Sequence, residues 1–500
     1  MYSPQTSLEV IDHHAKTAPD RPAVGSPSKQ LTYEQLRSQA AQFRTRLVQD
    51  GVQRGDRVLL VCPTVPEFPV AYFAILGIGA IAVTVNTMST IPELSYFVAD
   101  AGCTEILAWH ESAKAAVEVA NSHQIRLRII EPIEPSATSI DETAVSNVAA
   151  TDTAVLIYTS GTTGRPKGAM LTHANLVAVG ESYSSALKVT PEDRFGTALP
   201  LFHVFGQGSI MNTVFRAGGM YYLLPKFDPI SLLEAVRDEQ LTVLAGVPTM
   251  WNAMMRANGS MTAADIPALR LAVSGGASLP AEIIRGFKER FGALILEGYG
   301  LSETTGGGTC TDLSRPPKIG YVGMALPGSG IKIVGTDGNE LPTGEVGEIL
   351  LRGPMVMSGY WNKPEATAKD LRDGWFHTGD LGSVDQDGDL RIVDRLKELI
   401  IRGGYNVYPR EVEEVLYEHP DVREVAVIGV PDEHFGEEIL AVLALEQPQS
   451  FDADAMTAWI KERLSAYKVP RRYRIVDELP KGPTGKILKR AIKPDEVAPD

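Results

Sequence analysis

The chain of 500 residues is too long for one ordinary compact domain, so two or more folded units are expected. Its formal net charge of −15 argues against broad binding to nucleic acid or to an anionic membrane, since both require extended basic surfaces. The three cysteines lie far apart and lack CxxC spacing, which indicates neither a disulfide framework nor a zinc site and favours a reducing, cytoplasmic environment.

An uncharged apolar segment covers residues 70–85. It is shorter than the roughly 20 apolar residues that cross a bilayer, and glycines interrupt it, so no transmembrane segment is predicted. A GxGxxA spacing occurs at Gly77, Gly79 and Ala82, but a dinucleotide fingerprint requires a strand before it and a helix after it. Here the order is reversed, and we predict a buried helix followed by a buried strand.

Strand and helix patterns alternate over the first 300 residues, which predicts an α/β class with layered, largely parallel sheets. Thr32 and Gln35 have capping-box spacing, so a helix is expected to begin there and to reach about Val48. The other predicted strands are 57–61, 154–158, 221–224, 243–246 and 271–274, and the other predicted helices are 173–186 and 232–239.

The pattern changes twice towards the C-terminus. Short strands separated by turn residues predict a β-rich subdomain from about residue 320, and helices mixed with strands after residue 395 predict a small α+β domain. We therefore expect a large N-terminal domain over 1–396 and a small, mobile domain over 397–500. The predicted elements are strands 331–334 and 347–351, then helix 409–417, strands 425–430 and 439–445, and helix 453–464.

The segment 158–168, YTSGTTGRPKG, is the strongest local signal. Glycines let backbone N–H groups approach phosphate oxygens, hydroxyl side chains add donors, and a lysine adds a cation. The segment lacks the GxxxxGK[ST] spacing of a Walker A loop, and in isolation it could equally be a flexible surface turn. The candidate phosphate-binding residues are Thr159, Ser160, Gly161, Thr162, Thr163, Gly164 and Lys167.

This segment resembles the phosphate-loop signature of the adenylate-forming superfamily, which includes acyl-CoA synthetases, coumarate–CoA ligases, luciferases and peptide-synthetase adenylation domains. The resemblance covers essentially the whole chain and implies that ATP and Mg²⁺ activate a small-molecule carboxylic acid as an acyl-adenylate, which then passes to coenzyme A. The further blocks that carry it, in chain order, are LPLFH at 199–203, SGGA at 274–277, GYGLSET at 298–304, WFHTGD at 375–380, DRLKE at 394–398 and PTGK at 483–486.

The resemblance implies a role for each block in nucleotide binding. Glu303 would bind Mg²⁺, for which its hard oxygen is suited, and Thr304 would contact the α-phosphate. Asp380 would hold the ribose hydroxyls, while Arg395 would reach ribose or phosphate and Tyr299 would stack on adenine. The remaining expected nucleotide contacts are Gly276, Ala277, Glu297, Gly298, Gly300 and Ile392.

Catalysis is expected to depend on the small domain. By resemblance, Lys486 enters the site and stabilises the negative charge that develops between the carboxylate and the α-phosphate. Lys397 occupies the hinge about which the domain swings between the two half-reactions. After that swing Gly403, Gly404 and Tyr405 would help to form the tunnel for the pantetheine arm of CoA.

The acid is expected to lie near His203, which would act as a door beside the carboxylate. The residues that directly follow His203, at 204–208, include no acidic side chain that could hold a substrate ammonium group. An apolar wall is expected, as for a fatty or aryl tail, with three glycines after Thr305 either widening the pocket or loosening it. The predicted pocket residues are Phe205, Val247, Met250, Trp251, Met254, Gly275 and Gly306.

We favour a medium- or long-chain fatty acid, because residues 402–416 resemble those of bacterial fatty-acid ligases. An aryl-CoA ligase, or an amide synthetase or carrier-protein ligase that uses the same adenylate, remains open. A luciferase-like oxidoreductase and a non-catalytic nucleotide-binding protein are less consistent with the residues present.

Overall fold

The computed structural model describes residues 3–134, 148–159, 165–257, 259, 261–277, 279–482 and 487–493. In these ranges the chain forms four sheets, two large and largely parallel and two small and largely antiparallel. The α/β class and the layered architecture predicted from the sequence are confirmed. The thirteen α-helices of the described residues are Ser7–Thr17, Tyr33–Gln49, Glu67–Ile78, Ile91–Ala101, Ala113–His123, His173–Ala186, Asn212–Ala217, Pro229–Asp238, Pro248–Arg256, Ala281–Phe291, Pro364–Asp370, Pro409–Tyr417 and Ala453–Lys461.

The largest sheet has nine strands, and its six central strands are parallel. Helices connect most of these strands, which is the connection that parallel neighbours require. The carboxyl ends of its central strands therefore meet at one edge of the sheet. In spatial order the strands are Met324–Ala325, Thr309–Cys310, Leu294–Tyr299, Leu271–Ser274, Val243–Gly246, Arg194–Thr197, Met220–Leu223, Pro22–Gly25 and Gln30–Thr32.

The second large sheet has seven strands and is covered on both faces. Along Arg57–Val61, Val58 and Leu60 belong to one hydrophobic cluster, whereas Leu59 and Val61 belong to another. Alternate side chains thus enter two cores, as expected of a sheet between two layers. In spatial order the strands are Gly359–Tyr360, Lys167–Thr172, Thr153–Thr159, Ile81–Val85, Arg57–Val61, Glu105–Trp109 and Arg126–Ile130.

The apolar segment folds as predicted, as a helix over Glu67–Ile78 followed by the strand Ile81–Val85. Every residue of that helix is buried, and Gly79 ends it in the left-handed region at φ +76°. Across the parts of the chain that the structure describes, we find no helix of the length and apolarity needed to cross a bilayer. The capping box at Thr32 and Gln35 is also confirmed by its two reciprocal hydrogen bonds.

The third sheet is the predicted β-rich subdomain. Leu390–Arg395 pairs with Trp375–Val384, which places Asp380 directly opposite Arg395. Val334 and Glu340 form an isolated bridge across the predicted turn at 335–339. The strands are Gly330–Val334, Gly347–Arg352, Trp375–Val384, Leu371–Arg372 and Leu390–Arg395.

The last sheet has its own hydrophobic clusters, which include Val412, Ile439 and Ile460. The helix predicted over 453–464 ends early, at Lys461, because the N–H of Arg463 turns back to the carbonyl of Ile460 and tightens the last turn. The strands are Tyr405–Val407, Ile400–Arg402, Gly436–Leu445, Val422–Asp432 and Arg472–Ile475.

Candidate active site

Two segments that are predicted to bind the nucleotide, 274–277 and 298–304, lie at the ends of neighbouring parallel strands. Ser274 pairs with Glu297 in parallel register, so residues 275–277 leave the sheet beside residues 298–300. Gly276 is exposed at φ +79°, and a Cβ there would have only Val247 Cγ1 within 4 Å, at 3.8 Å. A flat base could lie over Gly276 without displacing protein atoms. Ala277 is half-buried on the same loop.

Tyr299 and Asp380 are joined by a short hydrogen bond. The Tyr299 hydroxyl donates to Asp380 Oδ2 at 2.5 Å, and Arg395 Nε lies 3.3 Å from Asp380 Oδ1. Burial and the adjacent Asp380 carboxylate raise the pKa of Tyr299 well above its usual value, so the phenol remains a donor. Tyr299 therefore positions Asp380, a role that the sequence did not indicate. Ile392 lies half-buried on the strand that carries Arg395.

Glu303, the predicted metal ligand, is buried in a 3₁₀ turn over Ser302–Thr304. Its Oε1 accepts hydrogen bonds from the Tyr360 hydroxyl at 2.9 Å and from Thr159 Oγ1 at 3.3 Å. Burial raises the pKa of this carboxyl, and its hydrogen bonds together with the charge of Lys167 oppose that effect. The Thr304 hydroxyl accepts a hydrogen bond from the N–H of Leu301 at 2.9 Å and donates one to the Leu301 carbonyl at 3.2 Å. Thr304 is fully buried.

Lys167 lies close to Glu303. The strand that it begins pairs with Thr153–Thr159, so Thr159 lies opposite Lys167. Lys167 Nζ is 2.9 Å from Asp370 Oδ2 and 3.9 Å from the centroid of the Tyr360 ring. The other predicted phosphate-loop residues, Ser160, Gly161, Thr162, Thr163 and Gly164, lie outside the described residues.

A second layer supports the two ends of this loop. Asp100 accepts a hydrogen bond from the Tyr158 hydroxyl at 2.8 Å and pairs with Lys363 at 2.9 Å. The Tyr96 hydroxyl donates to the carbonyl of Pro166 at 2.7 Å. Tyr360, Asp370 and Asp100 were not found from the sequence, because each lies far along the chain from the residue that it contacts.

Glu297 is buried within the strand Leu294–Tyr299, directly before Gly298. Burial raises the pKa of its carboxyl to about 7, although Arg410 opposes this rise. Gly300, three residues after Glu297, lies directly against Gly306. A Cβ at position 300 would overlap the backbone of Gly306, so only glycine allows these two segments to touch.

The predicted acid-binding residues fall into two groups. His203 is half-buried, its Nδ1 accepts the N–H of Phe205 at 3.3 Å, and a π-helical segment follows over Phe205–Met211. The Phe205 ring packs on Gly275, where a Cβ would lie 3.2 Å from it, and Val247 is buried nearby. π-Helical segments occur frequently at functional sites.

Trp251, in contrast, lies in the core. Its indole packs on Gly246, where a Cβ would lie 2.8 Å from it, and edge-on against Phe287. Met250 contacts the same glycine, with its Cε 3.2 Å from that Cβ position, and Met254 is fully buried. Trp251 thus packs between the strand Val243–Gly246 and the helix Ala281–Phe291.

The three glycines at 306–308 do not leave empty space, which corrects the idea that they widen the pocket. A Cβ at Gly306 would overlap Ser209 Oγ, and one at Gly307 would lie 2.8 Å from Val179 Cγ2. One at Gly308 would lie 2.8 Å from the carbonyl oxygen of Tyr299. These positions lack side chains because the turn packs directly against its neighbours.

The residues expected to serve CoA lie on an exposed hairpin. Gly403 and Gly404 have φ of +57° and +84°, and Tyr405 is 60% exposed and stacks on Tyr467. Lys397 is exposed, and partial desolvation of its ammonium group together with the nearby Arg395 lowers its pKa. Lys486 lies outside the described residues.

The described residues thus form two polar clusters, one of Glu303 with Lys167 and one of Tyr299, Asp380 and Arg395. Residues 11–361 match the family model of the AMP-binding enzymes, and residues 411–486 match that of their C-terminal domain. The chain belongs to the AMP-binding enzyme family, in its acyl-CoA synthetase branch.

Similar proteins include a feruloyl-CoA synthase from an Amycolatopsis species, 38% identical over 96% of each chain. A long-chain-fatty-acid–CoA ligase from Bacillus subtilis is 34% identical over 99% of this chain and 95% of its own. ATP-bound MatB from Rhodopseudomonas palustris has a TM-score of 0.90 at 33% identity, over 97% and 98% of the two chains.

The chain is therefore an AMP-forming acyl-CoA synthetase, which uses ATP, Mg²⁺ and CoA to convert a carboxylic acid first into an acyl-adenylate and then into a thioester. The residues present fit these groups. Glu303 is a buried carboxylate, and a divalent cation beside it would oppose the burial that raises its pKa. A Cβ at Gly379, beside Asp380, would meet nothing within 4 Å, so this side of the site is open.

Proposed function

We propose that Lys167 and Glu303 bind the phosphates of ATP and their Mg²⁺, and that Asp380 and Arg395 hold the ribose. The observation that supports this most is the Thr159–Glu303 hydrogen bond, because it joins the start of the phosphate loop to the metal ligand. Gly276, Ala277, Glu297, Gly298, Tyr299, Gly300 and Ile392 would surround the base and sugar.

Within this proposal Lys486 stabilises the charge on the carboxylate and α-phosphate as the adenylate forms. No general base is needed, because a carboxylic acid is already ionised at neutral pH. His203 borders the carboxylate, and Thr304 acts through the turn that presents Glu303. When bound, Mg²⁺ neutralises the phosphates and makes pyrophosphate a better leaving group.

We propose a domain boundary between residues 396 and 397, with Lys397 at the hinge. The separate hydrophobic clusters of the last hundred residues support a unit that moves as a whole. Gly403, Gly404 and Tyr405 would then line the CoA tunnel in the second half-reaction. The three free, buried cysteines support a reducing, cytoplasmic location.

The proposed acid is a medium- or long-chain fatty acid, with Phe205, Val247, Met250 and Gly275 beside its tail. The apolar character of these residues and the similarity to a long-chain-fatty-acid–CoA ligase support this choice. A hydroxycinnamic or other aryl acid is the second candidate, because a feruloyl-CoA synthase is 38% identical.

The test is pyrophosphate release with Mg-ATP across fatty, aryl and amino acids, with and without CoA, combined with mass spectrometry of the product. Octanoyl- or palmitoyl-CoA as the best product would support the fatty-acid proposal, and feruloyl- or benzoyl-CoA would replace it with the aryl one. Product that requires an added amine would mean that the acceptor is the amine rather than CoA and that the product is an amide. The Lys486→Ala variant should retain ATP binding and lose adenylation by several orders of magnitude.

A further inference from the structure

Tyr360 lies between the two charged groups to which the proposed function assigns the phosphates and the metal. Its ring faces Lys167 Nζ at 3.9 Å, and its hydroxyl donates to Glu303 Oε1 at 2.9 Å. Only 3% of the residue is exposed, so both contacts occur away from bulk water, where they are strongest.

The backbone fixes Tyr360 in this position. The strand Gly359–Tyr360 pairs with Lys167–Thr172, with Tyr360 opposite Ala169. The N–H of Tyr360 donates to Thr367 Oγ1 at 2.9 Å, on the helix Pro364–Asp370. The same short segment therefore holds both the tyrosine and, at the end of its helix, Asp370.

Asp370 provides the remaining contact. Its Oδ2 lies 2.9 Å from Lys167 Nζ, and the two side chains are only 24% and 14% exposed. An ammonium group has three N–H donors, and this contact uses one of them. The ammonium is thus fixed between a carboxylate and an aromatic face while retaining donors for a phosphate.

We propose that Tyr360 and Asp370 are positioning residues for Mg-ATP: Asp370 and the Tyr360 ring orient Lys167 towards the phosphates, and the Tyr360 hydroxyl orients Glu303 towards the metal. This inference rests on the proposed roles of Lys167 and Glu303. Neither positioning residue is among those assigned to the acid, so we expect both to affect ATP and pyrophosphate rather than the choice of acid.

The first test compares nucleotide binding by calorimetry. Asp370→Asn should weaken Mg-ATP binding roughly tenfold, because it removes the charged anchor of Lys167, and should leave AMP binding unchanged. Asp370→Glu should restore most of the affinity. Glu365→Gln, an exposed carboxylate on the same helix, is the matched control and should have no effect.

The second test separates the two parts of Tyr360. Tyr360→Phe keeps the ring beside Lys167 and removes the bond to Glu303, so it should raise the Mg²⁺ concentration needed for half-maximal ATP binding several-fold. Tyr360→Leu should in addition weaken Mg-ATP binding at saturating Mg²⁺. Circular dichroism and thermal melting would show that each variant is folded.

The outcomes distinguish this inference from the function on which it rests. If Lys167→Ala weakens Mg-ATP binding but Asp370→Asn leaves it unchanged or tighter, the positioning role is wrong and the site assignment stands. If neither Lys167→Ala nor Glu303→Gln changes Mg-ATP binding, the site assignment itself fails. An equal loss of AMP and Mg-ATP binding in Asp370→Asn would also contradict the inference, because it would indicate general damage.

Discussion

Asp380 is held by two neighbouring side chains. The Tyr299 hydroxyl lies at 2.5 Å and Arg395 at 3.3 Å, in a residue that is only 5% exposed. Under the proposed ribose role of Asp380, such preorganisation means that binding need not order the carboxylate and therefore loses less conformational entropy. The tyrosine that the sequence assigned to adenine stacking thus has a second role.

We predict that Asp380→Asn weakens AMP binding by about 2 kcal/mol, the range for a hydrogen bond to a charged group. Tyr299→Phe keeps the aromatic ring and should weaken AMP binding by a smaller amount. Calorimetric titration with AMP measures both effects, and Asp387→Asn, in the exposed turn that follows the same strand, serves as control. Equal losses in the Asp380 and Asp387 variants would contradict the prediction.

Glu297 should make stability depend on pH. Its folded pKa of about 7 lies above the ordinary 4.5, so the folded state binds the proton more tightly than the unfolded state does. The resulting stabilisation is complete below about pH 4.5 and is lost as the pH rises through 7. Glu297→Gln should therefore be more stable than the wild type at pH 8, by at most about 3 kcal/mol.

Thermal melting of the wild type and of Glu297→Gln between pH 5 and pH 8 provides the measurement. The difference between their melting temperatures should grow with pH and level off above 7. Glu282→Gln changes an exposed helix residue, so its melting temperature should match that of the wild type at every pH. A difference in melting temperature that stays constant from pH 5 to pH 8 would show that burial does not raise the pKa of Glu297.

At the scale of elements, the turn at 306–308 depends on a close approach between backbones. Gly306 has φ +76°, and the place of its Cβ is occupied by Ser209 Oγ. That hydroxyl donates to the Gly306 carbonyl at 3.0 Å, as does the Tyr183 hydroxyl. The turn therefore joins the Glu303 segment to the π-helical segment that follows His203.

We predict that Gly306→Ala lowers the free energy of unfolding by about 2–4 kcal/mol, from left-handed strain together with overpacking. Gly344→Ala is the matched control, because its φ is +90° but nothing lies within 4 Å of the new Cβ, so only the strain applies. Adding Ser209→Ala to Gly306→Ala should recover part of the loss in denaturant unfolding. Equal effects of the two glycine variants would contradict the packing argument.

Element types and many element bounds could be predicted from the sequence. The strands 57–61, 243–246 and 271–274 and the helices 173–186 and 409–417 agree with the structure to the residue, because clear periodicity and caps mark them. The contacts of Tyr360 and Asp370 could not be predicted, since they depend on pairing between strands nearly 200 residues apart. The tight packing of Gly306 could not be predicted either, because it depends on contact with Ser209, 97 residues earlier in the chain.

At the scale of the whole molecule, Arg410 contacts residues on the other side of the proposed domain boundary. Its backbone N–H donates to Asp394 Oδ2 at 3.0 Å, and its Nη1 donates to the Ile392 carbonyl at 2.8 Å. Arg256 and Glu446 form a further ion pair across the proposed boundary. Meanwhile Ile401 and Tyr405, at the tip of the proposed CoA hairpin, are 53% and 60% exposed.

The exposure of this hairpin supports assigning this arrangement of the two units, within the proposed mechanism, to adenylate formation. Contacts found only in this arrangement should favour the first half-reaction, because they shift the population towards it. Arg410→Gln removes the bond to the Ile392 carbonyl and the pairing with Glu414. We expect ATP–pyrophosphate exchange to fall about three- to tenfold, which corresponds to about 1 kcal/mol.

Thioester formation from supplied acyl-adenylate and CoA should change much less in Arg410→Gln, because that step uses the other arrangement. Arg463→Gln is the matched control, since its partners Glu418 and Glu462 lie within the small unit. A parallel fall in both half-reactions would mean that Arg410 stabilises the small domain itself, whereas a fall confined to exchange would show that it selects between domain orientations.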